Sequence, residues 1–344
     1  MKDPYGLIDD LAAGVMDDHQ KARPEVFASY KGDANDPWLE ETKKQLTFLF
    51  DAAVMDSPQL FINYISWAKV VLKHTGAPSD LLYEKLQHMR ERCRSELEGP
   101  FAAKVDHILQ STLERFPTMP ESAPRYIDEN EEMGKVALTY LENVLQGDRS
   151  KAEETIRQAL ARGLPFKDLY LNVFQRTQYE LGRRWQEGLI SVAQEHLVTE
   201  VTLQLMAQLY AEMCPRKVGK GSIVVTCVGN EMHEVGARMV ADFLEVDGWA
   251  VSFLGANTPH PDVVSITKQR QAKFLLVSAT MAYNVRRVRG LIRFVRGDPE
   301  LGDIKIVVGG YPFNNVEGLW KAIGADGFAS DALEAVQVVN DLAK

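Results

Sequence analysis

Cysteine is scarce in this chain. Its 344 residues include three, Cys93, Cys214 and Cys227, and no two of them form a CxxC pair. That excludes a cysteine-based zinc site and a disulfide framework, and it suits a reducing cytoplasm. Positive charge is also short. Thirty-nine Lys and Arg stand against 48 Asp and Glu, a formal net charge of −9, which argues against a general binder of nucleic acid or anionic membrane. No apolar run approaches the ~18–20 residues of a membrane helix. The opening Met1-Lys2-Asp3-Pro4-Tyr5-Gly6 lacks the charged-then-apolar pattern of a secretory signal. There is no internal repeat and no low-complexity tract. What remains is an ordinary globular composition, 45% apolar and 25% charged, in a chain long enough for two or three domains.

Composition divides the chain into three parts. Residues 1–118 read as helices, among them 38–54, 58–74, 79–97 and 101–116. The segment 58–74 carries Phe61, Ile62, Ile65, Trp67, Val70, Val71 and Leu72, so most of its surface is expected to be buried. Gly76-Ala77-Pro78-Ser79 is a stop-and-restart signal with Ser79 as N-cap. A proline-rich linker, 119–130, follows. Residues 131–214 form a second helical block, with helices at 131–146, 148–162, 165–184 and 191–213 joined by short connections, which implies an antiparallel four-helix bundle. Residues 220–344 alternate apolar strands (222–228, 249–254, 273–278, 304–308 and a weak 327–329) with amphipathic helices (234–246, 260–271, 284–296, 315–323, 331–342). That alternation predicts a Rossmann-like parallel sheet covered on both faces. The expected class is thus α plus α/β.

The chemistry is concentrated at three strand ends. After the first strand comes Glu231-Met232-His233-Glu234-Val235-Gly236, after the third Ser278-Ala279-Thr280, and after the fourth Gly309-Gly310. Forty-one residues separate Gly236 from Ser278, and 28 separate Thr280 from Gly309. Ligands of open α/β sheets bind at this carboxyl edge. One imidazole, His233, is held there, and Glu231 could bond one ring nitrogen while the other holds a metal. Gly236, Gly309 and Gly310 remove side chains where backbone and ligand would touch, and Ser278 and Thr280 offer hydroxyls.

Taken together, the three loops resemble the domain that carries cobalamin in its base-off, histidine-on form. The resemblance implies that His233 is the lower axial ligand to cobalt, oriented by Glu231 where Asp is more usual. The second helical block, with Trp185 in Leu-Gly-Arg-Arg-Trp-Gln-Glu-Gly and Glu195-His196 ten residues on, is similar to the cap of the CarH-type cobalamin photoreceptors. By that resemblance Trp185 packs on the adenosyl group of adenosylcobalamin, Glu195 bonds it, Val192 takes a small apolar position and His196 lines the same pocket. One departure is plain: Gln186 follows the tryptophan where the DNA-binding members carry a cobalt-capturing histidine.

The resemblance covers roughly 130–344. The N-terminal block has no basic reading helix, so DNA binding is not expected. Its order before a cap and a cobalamin domain looks similar to the photocobilins, which implies a globin-like module holding biliverdin; Tyr64, Trp67, His74, His88, Cys93 and His107 are the candidate contacts. The other reading of the block is a dimerisation or docking bundle. The leading expectation is a cytoplasmic, non-enzymatic light sensor that signals through an oligomer or partner change. The rival is a corrinoid methyl carrier serving a methyltransferase.

Overall fold

The computed structural model describes residues 4–27, 36–76, 80–213 and 219–344. Ser79 and Cys214 lie outside them. The chain divides into two compact units, Met1–Ala123 and Pro124–Lys344.

The first unit is helical. Its main helices are Ile8–Ala22, Pro37–Val54, Pro58–His74, Asp80–Glu96 and Gly99–Arg115. The second starts where Asp36 accepts a hydrogen bond from the Trp38 amide at 2.9 Å and Pro37 occupies the first turn. Pro58–His74 buries one face, Leu60, Phe61, Ile62, Ile65, Ala68, Lys69 and Val70, while Trp67, Val71 and Leu72 are only half-buried. Lys69 is a buried cation with its needs met: its ammonium donates to the carbonyls of Phe116 and Met119 at 3.0 and 2.9 Å.

The six candidate bilin contacts occupy unlike places. Tyr64 donates to Glu41 at 2.8 Å and stacks with Phe48 and Trp67. The His74 ring bonds the Val70 carbonyl at the end of its own helix. His88 packs edge-on to His19, with ring centroids 5.5 Å apart. His107 is exposed. Cys93 is buried, and burial pushes its thiol up to about 12, away from the thiolate that thioether chemistry needs.

In the second unit four helical segments precede the sheet. Glu132–Leu145 and Arg149–Ala161 are followed by one long stretch, 166–186, and then by Val192–Met213. The stretch at 166–186 is not uniformly α-helical: Leu169–Gln175 is a π-helical turn. It places Tyr170 and Phe174 in the bundle core, against Tyr140 and, across to the sheet side, Phe243. Periodicity alone does not distinguish such a turn.

The sheet has five parallel strands: β1 (Ser222–Cys227), β2 (Ala250–Phe253), β3 (Phe274–Ser278), β4 (Lys305–Gly309) and β5 (Gly327–Ala329). Their order is β2-β1-β3-β4-β5. The central strands are buried on both faces, which is why they read as continuous apolar runs. One expected helix is broken: 315–323 becomes Tyr311–Asn315 and Leu319–Ala322, separated at Gly318, whose φ of +72° is left-handed.

Bundle and sheet share one core, cemented by polar groups that hydropathy does not reveal. Helix Val235–Val246 carries Arg238, which lies over the rings of Tyr210, from the last bundle helix, and Phe253, from β2. One turn on, Asp242 is fully buried and accepts from the Tyr170 hydroxyl at 3.2 Å. Arg238 forms an ion pair with its Oδ1 at 2.7 Å, but the carboxyl has no exposure to water. Burial therefore pushes the carboxyl up to about 6, although Arg238 and Tyr170 pull the other way. The raised folded value fixes the sign of the pH dependence: stability from this group is full below about pH 3.9 and is lost as pH rises through about 6, some 3 kcal/mol in all. The difference in melting temperature between wild type and Asp242→Asn is expected to change across that window. A constant difference from pH 3.5 to 7 would refute the assignment.

Candidate functional site

The sheet order reverses between β1 and β3, and both strands end at the same edge. In this topology the crevice outside those two ends is the ligand position. Seven residues, 228–234, link β1 to the helix Val235–Val246. The loop is held from two sides. From the β2 side, Asn257 accepts from the Asn230 amide at 2.7 Å and its own amide donates to the Glu231 carbonyl at 3.0 Å. Glu234 reaches back to accept from the Ala256 amide at 3.0 Å.

From the β3 side, everything converges on Glu231. Its side chain is fully buried. Oε1 accepts from the backbone amide of His233 at 3.1 Å and bonds the imidazole Nδ1 at 2.6 Å. Oε2 accepts from the Thr280 and Met281 amides at 2.8 and 3.0 Å and from the Asn284 side chain at 2.9 Å. Burial alone would raise this carboxyl, but the hydrogen bonds from His233, Met281 and Asn284 outweigh it and hold the group down at about 2. Glu231 is thus a fixed anion joining the two loops of the crevice. Its bond in turn holds His233 above the usual imidazole range, against desolvation, and the charge of Glu195 adds to the effect. Since Nδ1 is engaged, Nε2 is the nitrogen left to ligate a metal, with the tautomer set by the carboxylate.

Glu195 brings the bundle into the site. It sits in the first turn of Val192–Met213, accepts from Thr199 at 3.1 Å and pairs with the His196 ring at 2.5 Å. His196 itself is largely exposed. Trp185 and Gln186 end the preceding helix. Along residues 185–192 the protein leaves apolar side chains exposed, Trp185 at 37%, Leu189 at 63% and Val192 at 52%, and on the β1 loop Met232 is 68% exposed. Large apolar side chains left in water suit a surface that something covers.

The remaining motif residues have roles partly different from those expected. Ser278 and Gly309 stand in register with Cys227 at the carboxyl edge. Thr280 serves through its amide, on Glu231, rather than only as a hydroxyl. Gly310 is glycine for the sake of the backbone: a Cβ there would lie 2.1 Å from the Ala279 carbonyl oxygen, and its φ is +103°. A Cβ on Gly309 would lie 2.9 Å from the Ala329 oxygen. Both glycines let neighbouring strand ends close up. At Gly236 a Cβ would meet nothing within 4 Å, so only there does open space remain for a ligand. Gly310→Ala is accordingly expected to cost at least about 1–3 kcal/mol in denaturant unfolding. Wild-type stability in that variant would refute the packing argument. The roles of Asn284, Asn257 and Glu234 carry no sequence signal: Asn284 closes the short 3-10 helix Ala282–Asn284, and Asn257 and Glu234 lie in loops, where an Asn or Glu has no periodic signature.

The donor set limits what metal can bind. Among the described residues no group of three or more His, Cys, Asp and Glu could hold an ion. A metal at His233 must therefore arrive with most of its ligands, as cobalt does in a corrin ring. The residues fit that group. They supply one oriented imidazole, open space at Gly236, and a buried Asn284 Oδ1 with no partner, able to accept from an amide.

Comparison with known proteins agrees with this fit. Residues 137–210 and residues 221–337 each match a family model described as a B12 binding domain. A corrinoid protein of Desulfitobacterium hafniense is 24% identical over 204 residues, 58% of this chain and 93% of that protein. A trimethylamine corrinoid protein of Methanosarcina acetivorans is 22% identical over 201 residues, 58% of this chain and 92% of the relative. The monomethylamine corrinoid protein of Methanosarcina barkeri shares the fold, with a TM-score of 0.55 at 21% identity over 60% of this chain and 98% of that one. The two matched domains, a helical bundle and a Rossmann-like sheet with His233 presented at its carboxyl edge, make residues 137–337 a cobalamin-binding unit.

Proposed function

We propose that the chain is a corrinoid methyl carrier that hands a one-carbon group between partner methyltransferases and is not itself the enzyme. The observation that carries this reading is the extent of the match. Two relatives named as corrinoid proteins, one of them for trimethylamine, align over more than nine-tenths of their own lengths. When bound, the corrinoid supplies a cobalt that accepts and releases the methyl group. The protein's part is to bind and orient. Glu231 holds a proton on Nδ1 of His233 and so keeps Nε2 as the metal-facing atom. Trp185, Leu189 and Val192 leave exposed apolar surface that would keep water from the bound group and stay accessible to a partner.

Light sensing, with adenosylcobalamin and a bilin, rests on Trp185, Glu195 and the order of the modules. It predicts a different result in the same experiment. Full-length protein loaded in the dark with methylcobalamin is expected to lose the methyl group to a thiol when a corrinoid:thiol methyltransferase is added, monitored by the corrinoid absorption spectrum. Protein loaded with adenosylcobalamin is expected to keep its mass by light scattering after green light. Dark inertness of the methyl form, together with a light-driven change in mass, would overturn the carrier reading. A long-wavelength band after reconstitution with biliverdin would restore the second chromophore.

A further inference from the structure

The helix that follows β3, Val285–Arg296, carries five arginines and no acidic residue, in a chain whose formal net charge is −9. Its apolar side, Val285, Val288, Leu291, Ile292 and Val295, is buried. The opposite side faces water. Arg286, Arg287 and Arg293 are exposed, and so are Phe294, at 50%, and Tyr283, at 39%, in the 3-10 turn Ala282–Asn284 that leads into the helix. With Gly290 these residues recur at spacings of three and four, so they share one face of the helix.

Helix stability does not account for this composition. Arg286 and Arg287 stand in the first turn, where the helix dipole disfavours cations. Arg286 with Arg289, Arg289 with Arg293 and Arg293 with Arg296 are like charges three or four residues apart, a spacing that weakens a helix. Arg296 has a structural task, since it donates to the Ile304 carbonyl at 2.7 Å and pairs with Asp326. The neighbouring helix His260–Gln269 brings a histidine, not an acid, to the middle of the stripe. A Cβ at Gly290 would lie 3.2 Å from Cε1 of His260, and the His260 ring stands 6.5 Å from that of Phe294. The stripe also begins at the rim of the cobalamin crevice: Tyr283 lies between Met281 and Asn284, both of which donate to Glu231.

We infer that this stripe docks an acidic strip on the partner methyltransferase, with carboxylates set against Arg287 and Arg293 and apolar surface against Phe294. The inference rests on the methyl-carrier reading and adds to it the chemistry of the partner's surface. An enzyme that reaches a cobalt held by His233 must also cover the rim where the stripe starts. Arginine and aromatic side chains together are the composition that protein interfaces favour. A second copy of this chain fits less well, because a two-fold contact through this face would set arginine against arginine. A membrane fits less well too, because the apolar side of the helix is spent on the core.

The test uses the full chain loaded with hydroxocobalamin and, as probe, fluorescein-labelled poly-L-glutamate. Wild type is expected to bind it saturably, and more weakly as salt screens the charges. The double change Arg287→Glu with Arg293→Glu should weaken that binding by about tenfold or more, with the corrinoid spectrum unchanged. Its melting temperature should be at least that of wild type, because an acid suits the first turn. In methyl transfer to a thiol by a corrinoid:thiol methyltransferase, the same variant should raise the KM for the methylcobalamin-loaded carrier by about tenfold and leave kcat unchanged. No binding of poly-L-glutamate to wild type, equal binding to the variant or an unchanged KM would overturn the inference. Tighter binding of poly(U) or of phosphatidylserine vesicles would overturn it in favour of nucleic acid or membrane. If wild type transfers no methyl group, the carrier reading falls, and the poly-L-glutamate titration decides alone whether the stripe takes acidic protein. Should the double variant fail to fold, the wild-type ranking of poly-L-glutamate against poly(U) and the vesicles decides.

Discussion

Replacing His233 with alanine is expected to cost the largest share of corrinoid affinity of any single change, more than the ~10–100-fold typical of losing a residue that only orients a metal ligand. The reason lies in how little else is offered. No group of three or more metal-ligating side chains stands among the described residues, so the protein's bond to a bound cobalt would run through one nitrogen. The fold itself should survive, since the His233 side chain is about half exposed and its loop is braced by Asn257 and Glu234. The measurement is a titration with hydroxocobalamin. Electron paramagnetic resonance of the reduced cobalt(II) form complements it, where a histidine nitrogen splits the cobalt lines in wild type and should not in the variant. Undiminished affinity together with an unchanged splitting would remove His233 from its role.

Glu231→Gln should lower corrinoid affinity by about 10–100-fold and, unlike the histidine change, also weaken the fold by about 3 kcal/mol. An amide is nearly isosteric with the carboxylate but turns one end into a donor. Glu231 receives donors at both oxygens: the His233 amide and ring at one, Thr280, Met281 and Asn284 at the other. Whichever way the amide is placed, two donors meet. If the Nδ1 bond is lost, the imidazole is free to change tautomer and turn, which accounts for the affinity. If the bonds to the β3 loop are lost, the two walls of the crevice part, which accounts for the stability. Denaturant unfolding of the ligand-free protein separates the effects. A variant with weak binding and wild-type stability would show that Glu231 acts on His233 alone.

Much of the architecture is legible in the chain because it rests on local rules. The runs Ile223 to Val225 and Phe274 to Val277 are apolar throughout because a parallel sheet buries both faces, and they appear within strands whose ends shift by a residue or so. Pro37 and Pro58 start helices, as their fixed φ dictates. The π-helical turn at Leu169–Gln175 is not legible, because the packing of Tyr170 and Phe174 against other elements selects it over an ordinary α-helical turn. The broken helix near Gly318 is a case where apolar spacing suggested continuity and a left-handed glycine ended it.

The order of motifs around His233, Ser278 and Gly309-Gly310 by itself determined that this protein presents one histidine at the mouth of a parallel sheet, because strand and loop lengths fix which residues reach that edge. The tertiary structure decided what that histidine is. Five hydrogen-bond donors from loops 50 residues apart in sequence meet one buried carboxylate, and only their convergence makes Glu231 a permanent anion and His233 an oriented imidazole. The purpose of Gly310 was likewise invisible until the Ala279 carbonyl was seen against it. So was the burial of Lys85, since a buried lysine and an exposed one are the same letter. Local spacing places a residue on an element; the energies that define a site arise between elements, where desolvation strengthens every charge that finds a partner and penalises every one that does not.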